Sequence, residues 1–373
     1  MAPEIQELFL LFPPAPQGYN SVWTEKGTSP VIFNMINVAV VGYGYWGPNL
    51  ARNFNALDGC RLAAVCETNP ARAEKAARLY PGVRVTADCG AVMADPDISA
   101  VVVSTPVSTH YELVREALAA GKDVLAGKPL ARTAAEAREL IGLAERNGRV
   151  LAVDHTYLYT GAVRRIAQLT DSGDLGGIMY IDSVRVNLGI FQPDVNVIYD
   201  LAPHDISIAC RLLDRDPETV RALGAARGGR GFEYLAYLHL DYGGGLAAHF
   251  HLNWLSPIKI RRTLIAGSRK MVVYDDMEQS EKVKVYDRGV TIKEGDLDSI
   301  YNTYVDYRTG DMDAPKLDTR EALAVEAEHF IDCVRNRSRP DSDGLSALRV
   351  VRIIEAAQLS IDRNGDKIRI GAI

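Results

Sequence analysis

Ile36-Asn37-Val38-Ala39-Val40-Val41-Gly42-Tyr43-Gly44-Tyr45-Trp46-Gly47 is the stretch whose reading decides the fold. An apolar run of strand type enters a glycine loop and continues into a helical pattern from Asn49 to Leu57. A second strand pattern, Arg61 to Cys66, then ends at Glu67. Each part has a physical job in a dinucleotide site. Gly42 permits the tight turn, Gly44 admits the backbone close to a pyrophosphate, and Gly47 lets helix and strand pack closely. Tyr45 and Trp46 lie inside the loop, with Trp46 expected to pack over the pyrophosphate turn. The helix N-terminus presents free N–H groups to the phosphates. Glu67 can accept hydrogen bonds from both ribose hydroxyls and repels a 2′-phosphate, so the expected cofactor is NAD rather than NADP.

Strand and helix patterns alternate from Ile36 to Asp154. The runs Val38–Val41 and Val101–Val103 are apolar without alternation, as in strands covered on both faces. Thr133 and Glu136 form a capping box at the start of one helix. These features predict a doubly wound parallel (Rossmann) sheet over 35–154. Beyond Asp154 the pattern changes to long strand-like segments, with Tyr242-Gly243-Gly244-Gly245 as a hairpin turn. Two amphipathic helices, about Thr319–Arg335 and Leu345–Arg363, close the chain. Residues 155–373 are therefore expected to form an α+β domain, with a large, mostly antiparallel open sheet, for substrate binding and oligomerisation. Residues 1–34, rich in proline and ahead of Met35, read as a poorly ordered extension.

Bulk properties narrow the function. A chain of 373 residues with 47% hydrophobic content can bury two sizeable cores. A net charge of −6 argues against a nucleic-acid platform. No apolar run has the length of a membrane span. The five cysteines have neither disulfide nor metal spacing, which fits the cytoplasm. His239, His249 and His251 read as a polar sheet face, with no metal expected.

Two clusters carry chemistry. Gly127-Lys128-Pro129 follows a strand, so the Lys128 ammonium is expected at the carboxyl edge of the sheet, where open α/β sheets bind ligands. There it can stabilise an alkoxide, although by position alone it fits a solvated loop equally well. In Tyr199-Asp200-Leu201-Ala202-Pro203-His204, Pro203 suits a first helical position. That placement puts His204 in the first turn, where the dipole disfavours imidazolium and favours a neutral base. Asp200 is placed to orient the ring or to contact a sugar hydroxyl; a helix cap with a satisfied histidine is the alternative.

Together these residues resemble the Gfo/Idh/MocA oxidoreductases over roughly Met35 to Arg363. The resemblance rests on the glycine loop with Glu67, on Ser104-Thr105-Pro106 with His110, on Lys128-Pro129, and on Asp200-x-x-x-His204. It implies Lys128 and His204 as the catalytic pair and Asp200 as a supporting acid. Thr105, Pro106 and His110 would line the nicotinamide-ribose end of the groove. The family pattern usually reads Glu-Lys-Pro, and this chain carries Gly127 at the first position. A compensating acid elsewhere, or a non-catalytic NAD-binding role, both fit that departure.

Within the family, the stretches around Tyr157 and Arg185 look most like enzymes acting on nucleotide sugars, such as UDP-N-acetylglucosamine 3-dehydrogenases. Strand alternation places Arg185 with Asn187, and its fork can meet a diphosphate. Tyr157, Asn196 and Tyr199 are further substrate-side candidates. The resulting expectation is hydride transfer at a secondary carbinol, at C3 of a nucleotide-linked hexose, in a homo-oligomer (dimer or tetramer). An inositol- or aldose-type dehydrogenase on a free sugar is the alternative.

Overall fold

The computed structural model describes residues 19–22, 31–189, 191–192, 194–226, 231–292 and 305–373. Two short strands, β1 (Tyr19–Val22) and β2 (Val31–Asn34), pair antiparallel. The rest of the expected extension, residues 1–18 and 23–30, lies outside the described residues.

The first large unit alternates strand and helix: β3 (Ile36–Val41), α1 (Gly47–Ala56), β4 (Cys60–Cys66), α2 (Pro70–Leu79), β5 (Arg84–Thr86), α3 (Cys89–Met93), β6 (Ala100–Val103), α4 (His110–Ala119), β7 (Asp123–Ala126), α5 (Ala134–Arg146) and β8 (Leu151–Val153). The six strands are parallel in the order β5-β4-β3-β6-β7-β8. The order reverses between β3 and β6, the position at which such sheets bind ligands. On β3, Val38 and Val40 pack toward α1, while Ala39 and Val41 face the core under α4 and α5. Coverage on both sides is why this strand is apolar without alternation.

The second sheet is built by β9 (Ile178–Leu188), β10 (Thr219–Ala226), β11 (Glu233–Asp241), β12 (Ala247–Asn253), β13 (Leu255–Gly267), β14 (Met271–Asp275), β15 (Val283–Ile292), β16 (Val305–Asp313) and β17 (Ile368–Arg369). Its order is β16-β15-β14-β13-β9-β12-β11-β10-β17, and among the described residues only β9 and β12 pair in parallel. One face packs on α6 (Gly161–Asp171), α7 (Val197–Leu213) and the late helix α9 (Gly344–Asp362). The other face carries exposed Tyr180, Leu223, Tyr237 and Met312. Alternation on β12 separates buried Ala248, Phe250 and Leu252 from outward His249 and His251. His249 and His239 bond to one another there, at 2.8 Å.

Not every element after Asp154 packs with the second sheet. Helix α8 (Ala322–Asn336), expected within the second domain, returns to the first sheet: its Leu323, Ala327, Phe330 and Ile331 join the core of β3 and α1. Helix α9 spans both units, with Ala347 and Val351 in the parallel-sheet core and Ile353, Ile354 and Ala357 in the other. An amphipathic pattern says that a helix has a buried face, but not which sheet buries it. Phe330 is buried edge-on against Phe54, with centroids 6.3 Å apart. Phe330→Ala is therefore expected to cost about 3–5 kcal/mol in urea unfolding, and a loss below about 1 kcal/mol would show that α8 is not part of this core.

Candidate active site

The glycine loop has the shape its sequence promised. Gly42 sits at φ +95°, and a Cβ there would stand 2.4 Å from the Ser104 carbonyl oxygen. A Cβ on Gly47 would stand 2.1 Å from the carbonyl oxygen of Gly42. Only glycine permits these approaches. At Gly44 the nearest atom to such a Cβ is an Arg72 nitrogen at 3.6 Å, so the loop leaves room on that side. No side chain caps the N-terminus of α1, where Pro48 carries no N–H and Asn49 N donates to the Trp46 carbonyl at 2.9 Å, so an anion there meets the helix dipole and the Gly47 N–H. The buried Glu67 carboxylate accepts from Tyr43 N at 2.8 Å and from Asn69 N at 2.7 Å, which fixes it at the end of β4. An open glycine cradle, an uncapped helix end and a fixed acid fit NAD.

Across the same sheet edge, His110 brackets two loops. Its ring nitrogens lie 2.8 Å from the Pro129 oxygen and 2.9 Å from the Thr105 oxygen. Pro106 precedes a tight turn, Val107–Thr109, and Thr109 donates to the Thr105 hydroxyl at 2.7 Å. Burial holds the His110 pKa below its ordinary value. The ring also crowds position 127, where a Cβ would stand 3.0 Å from His110 Cε1. From the second unit, the Asp194 carboxylate accepts from Ser108 N at 3.2 Å.

Lys128 does not point into solvent. Its ammonium donates to the Asp200 carbonyl and, at 3.1 Å, to the Asp200 carboxylate. The other Asp200 oxygen accepts from Trp254 Nε1 at 3.0 Å. His204 lies one turn along the same helix, with Tyr157 edge-on to it at 5.0 Å between centroids. The His204 Nδ1 atom is buried, and no partner reaches it among the described residues.

Four expectations are revised here. Pro203 is not at the start of α7 but inside it. Asn196 starts the helix by accepting from Ile198 N and Tyr199 N, which places His204 beyond the first turn. The dipole therefore does not keep the imidazole neutral. Burial does so first, followed by the nearby cations Lys128, Arg185 and Arg261, and the pKa is driven well below 6.5. Second, Asp200 orients the lysine rather than the histidine.

Third, Arg185 is buried, and its fork is spent on Asp205 through two bonds of 2.8 Å, with a further bond of 3.0 Å to the Tyr157 hydroxyl. A guanidinium held this way builds the site wall and has no free fork for a diphosphate. Fourth, Asn196 is used up by the helix cap and by bonds of 2.6 Å to Glu233 and Gln358. Tyr199 donates to the Arg132 carbonyl at 3.2 Å and so ties α7 to the parallel-sheet unit. Asn187 is half-buried at the end of β9, with its amide beside Gly189.

The structure adds residues that sequence reasoning missed. Arg261 donates to the Tyr157 hydroxyl at 2.7 Å and to Asp276 at 3.3 Å, and its side chain keeps 33% of its exposure. Trp254 and Asp205 complete the supports of Asp200 and Arg185. Asp205 directly follows His204, and that adjacency was the one available signal.

Comparison with known proteins agrees with this geometry. Residues 36–155 match the model of the oxidoreductase family with an NAD-binding Rossmann fold, and residues 163–273 match the GFO/IDH/MocA C-terminal domain. The chain belongs to the Gfo/Idh/MocA oxidoreductase family. It is similar to the UDP-N-acetylglucosamine 3-dehydrogenase of Acidithiobacillus ferrooxidans, at 27% identity over 88% of this chain and 97% of that one. The solved structure of that enzyme aligns with a TM-score of 0.73 at 26% identity, covering 88% of this chain and 98% of that chain. Inositol 2-dehydrogenase 2 of Saccharopolyspora erythraea is 33% identical, over 52% of this chain and 58% of its own length. The matched N-terminal domain is an NAD-binding Rossmann domain, and the glycine loop and Glu67 lie within it. Among the described residues no helix is long and apolar enough to cross a membrane.

Because His204 is held neutral, kcat/KM for oxidation is expected to stay level as pH falls through 6.5, where an ordinary imidazole is half protonated, and to drop only well below it. A half-maximal point at or above 6.5 in the pH profile would contradict that environment.

Proposed function

We propose that this protein is an NAD-dependent dehydrogenase or ketoreductase acting on a secondary carbinol, at C3 of a nucleotide-linked hexose. One observation carries the chemistry. The Lys128 ammonium, just past the carboxyl end of β7, is bonded to Asp200, and His204 lies one turn further along the same helix, near enough for the lysine charge to lower its pKa. When bound, NAD supplies the hydride acceptor. His204, neutral at pH 7, takes the hydroxyl proton, while Lys128 donates to the oxygen and stabilises the alkoxide as it forms. Asp200 fixes the ammonium on one side, and Trp254 fixes Asp200. Tyr157 walls the imidazole and is itself braced by Arg185 and Arg261. In the reductive direction the same groups return the proton.

The nucleotide-sugar reading is supported by the relative that matches through both domains at 27% identity over 97% of its length; a scyllo-inositol 2-dehydrogenase of Bacillus subtilis is matched over the same share of its length at 24%. With Arg185 committed to Asp205, Arg261 is the guanidinium placed to meet a diphosphate. Five free thiols support a reducing cytoplasm, and the uncovered sheet face with Tyr180 and Tyr237 supports a homo-oligomer packed sheet to sheet.

The purified protein is to be assayed with NAD and a panel of UDP-sugars, free aldoses and inositols. UDP-sugars are expected to turn over, with kcat falling about 10²–10⁴-fold in Lys128→Ala and in His204→Ala. Arg261→Ala is expected to raise KM for the UDP-sugar while sparing free sugars. Turnover of inositol alone would replace the substrate assignment. Full activity in both single variants would remove the catalytic one.

A further inference from the structure

Beneath the cofactor loop lies a group of buried polar side chains that the reaction above does not use. Trp46, in the glycine loop, sends its indole N–H to one oxygen of Asp154 at 2.6 Å. The other oxygen of Asp154 accepts from the Thr156 hydroxyl. Asp154 is 3% exposed and sits just past β8, and Thr156 opens the turn that carries Tyr157. Packed near them from α8 is Glu326, 1% exposed, with neither carboxyl oxygen paired to a side chain by a hydrogen bond among the described residues.

An ionised Glu326 would be an uncompensated buried charge beside a second carboxylate, an arrangement that costs several kcal/mol. Its burial, and then Asp154, hold the Glu326 pKa well above its ordinary value. The carboxyl is therefore neutral, and its O–H is a donor for which Asp154 is the adjacent acceptor. Three donors from three distant parts of the chain thus converge on one carboxylate: the glycine loop, the turn beside the substrate wall, and α8.

We propose that Asp154, backed by the buried Glu326, is a positioning residue that latches the Trp46 indole and so holds the glycine loop in its cofactor-binding shape. The proposal rests on the NAD site described above and goes beyond it by assigning a role to α8. A loop already held in the bound conformation avoids the ordering cost of binding, and a loop released from the latch has to meet that cost when the cofactor arrives.

NADH binding can be followed by its own fluorescence, with no sugar present, so a failed sugar assay leaves the test intact. Trp46→Phe keeps an aromatic ring and loses the N–H with the five-membered half of the indole, at a residue 38% exposed and outside the core; it is expected to raise the Kd for NADH about tenfold with an unchanged melting temperature. Asp154→Ala removes the oxygens that accept from the indole N–H and is expected to raise the Kd as well. Glu326→Leu should weaken NADH binding, whereas the conservative Glu326→Gln retains a donor and recovers the affinity that the leucine loses. Wild-type NADH affinity in Trp46→Phe would overturn the latch. Equal losses in Glu326→Gln and Glu326→Leu at equal melting temperatures would overturn the role of Glu326 as donor.

Discussion

The ion pair between Lys128 and Asp200 is the contact on which the active-site arrangement depends. Lys128 belongs to the parallel-sheet unit and Asp200 to α7, so this charge-assisted bond fixes that unit against the helix that carries His204. Because the lysine also donates to the Asp200 backbone carbonyl, it is keyed to the helix itself and not only to a mobile carboxylate. Trp254 at the end of β12 holds the second oxygen. The ammonium thus reaches the site already oriented. Charge stabilisation of this kind is most effective when no reorganisation is needed at the moment of reaction.

Around that pair, the second sheet acts as a rigid frame for guanidinium groups. Arg185 on β9 and Arg261 on β13 both reach the hydroxyl of Tyr157, and each is neutralised by an aspartate, Asp205 and Asp276 respectively. Burial does most to keep His204 unprotonated, Lys128 comes next, and these two guanidiniums add to it. The side chains that wall His204 therefore also lower its pKa. Helices α8 and α9 bind the two units together from the C-terminal end of the chain, α8 by completing the core around β3 and α9 by spanning both cores.

Much of this was legible in the sequence where function and local geometry coincide. The glycine loop, the strand that feeds it and Glu67 all lie within one βαβ unit, and short-range steric demands leave their mark directly on residue type. Lys128 and the Asp200/His204 pair could be placed at a sheet edge and on a helix for the same reason. What could not be read depends on long-range packing. Asn196 looked like a substrate contact because nothing local says that its side chain will cap α7, and this in turn moved Pro203 into the helix interior. Arg185 offered a free fork until the fold brought Asp205 beneath it. Trp254, Arg261 and Asp276 come from strands whose register the sequence does not specify, and α8 has an apolar stripe that any sheet could bury.

The central claim is that Lys128 and His204 serve hydride transfer from a sugar carbinol to NAD in this pocket. It is tested most directly by incubating the protein and NAD with a UDP-hexose deuterated at C3 and following the label by mass spectrometry. The account predicts deuterium in the reduced nicotinamide and a 3-keto sugar nucleotide as the other product. Oxidation of that substrate with the C3 label retained, or no reduced nicotinamide from any carbinol, would contradict it.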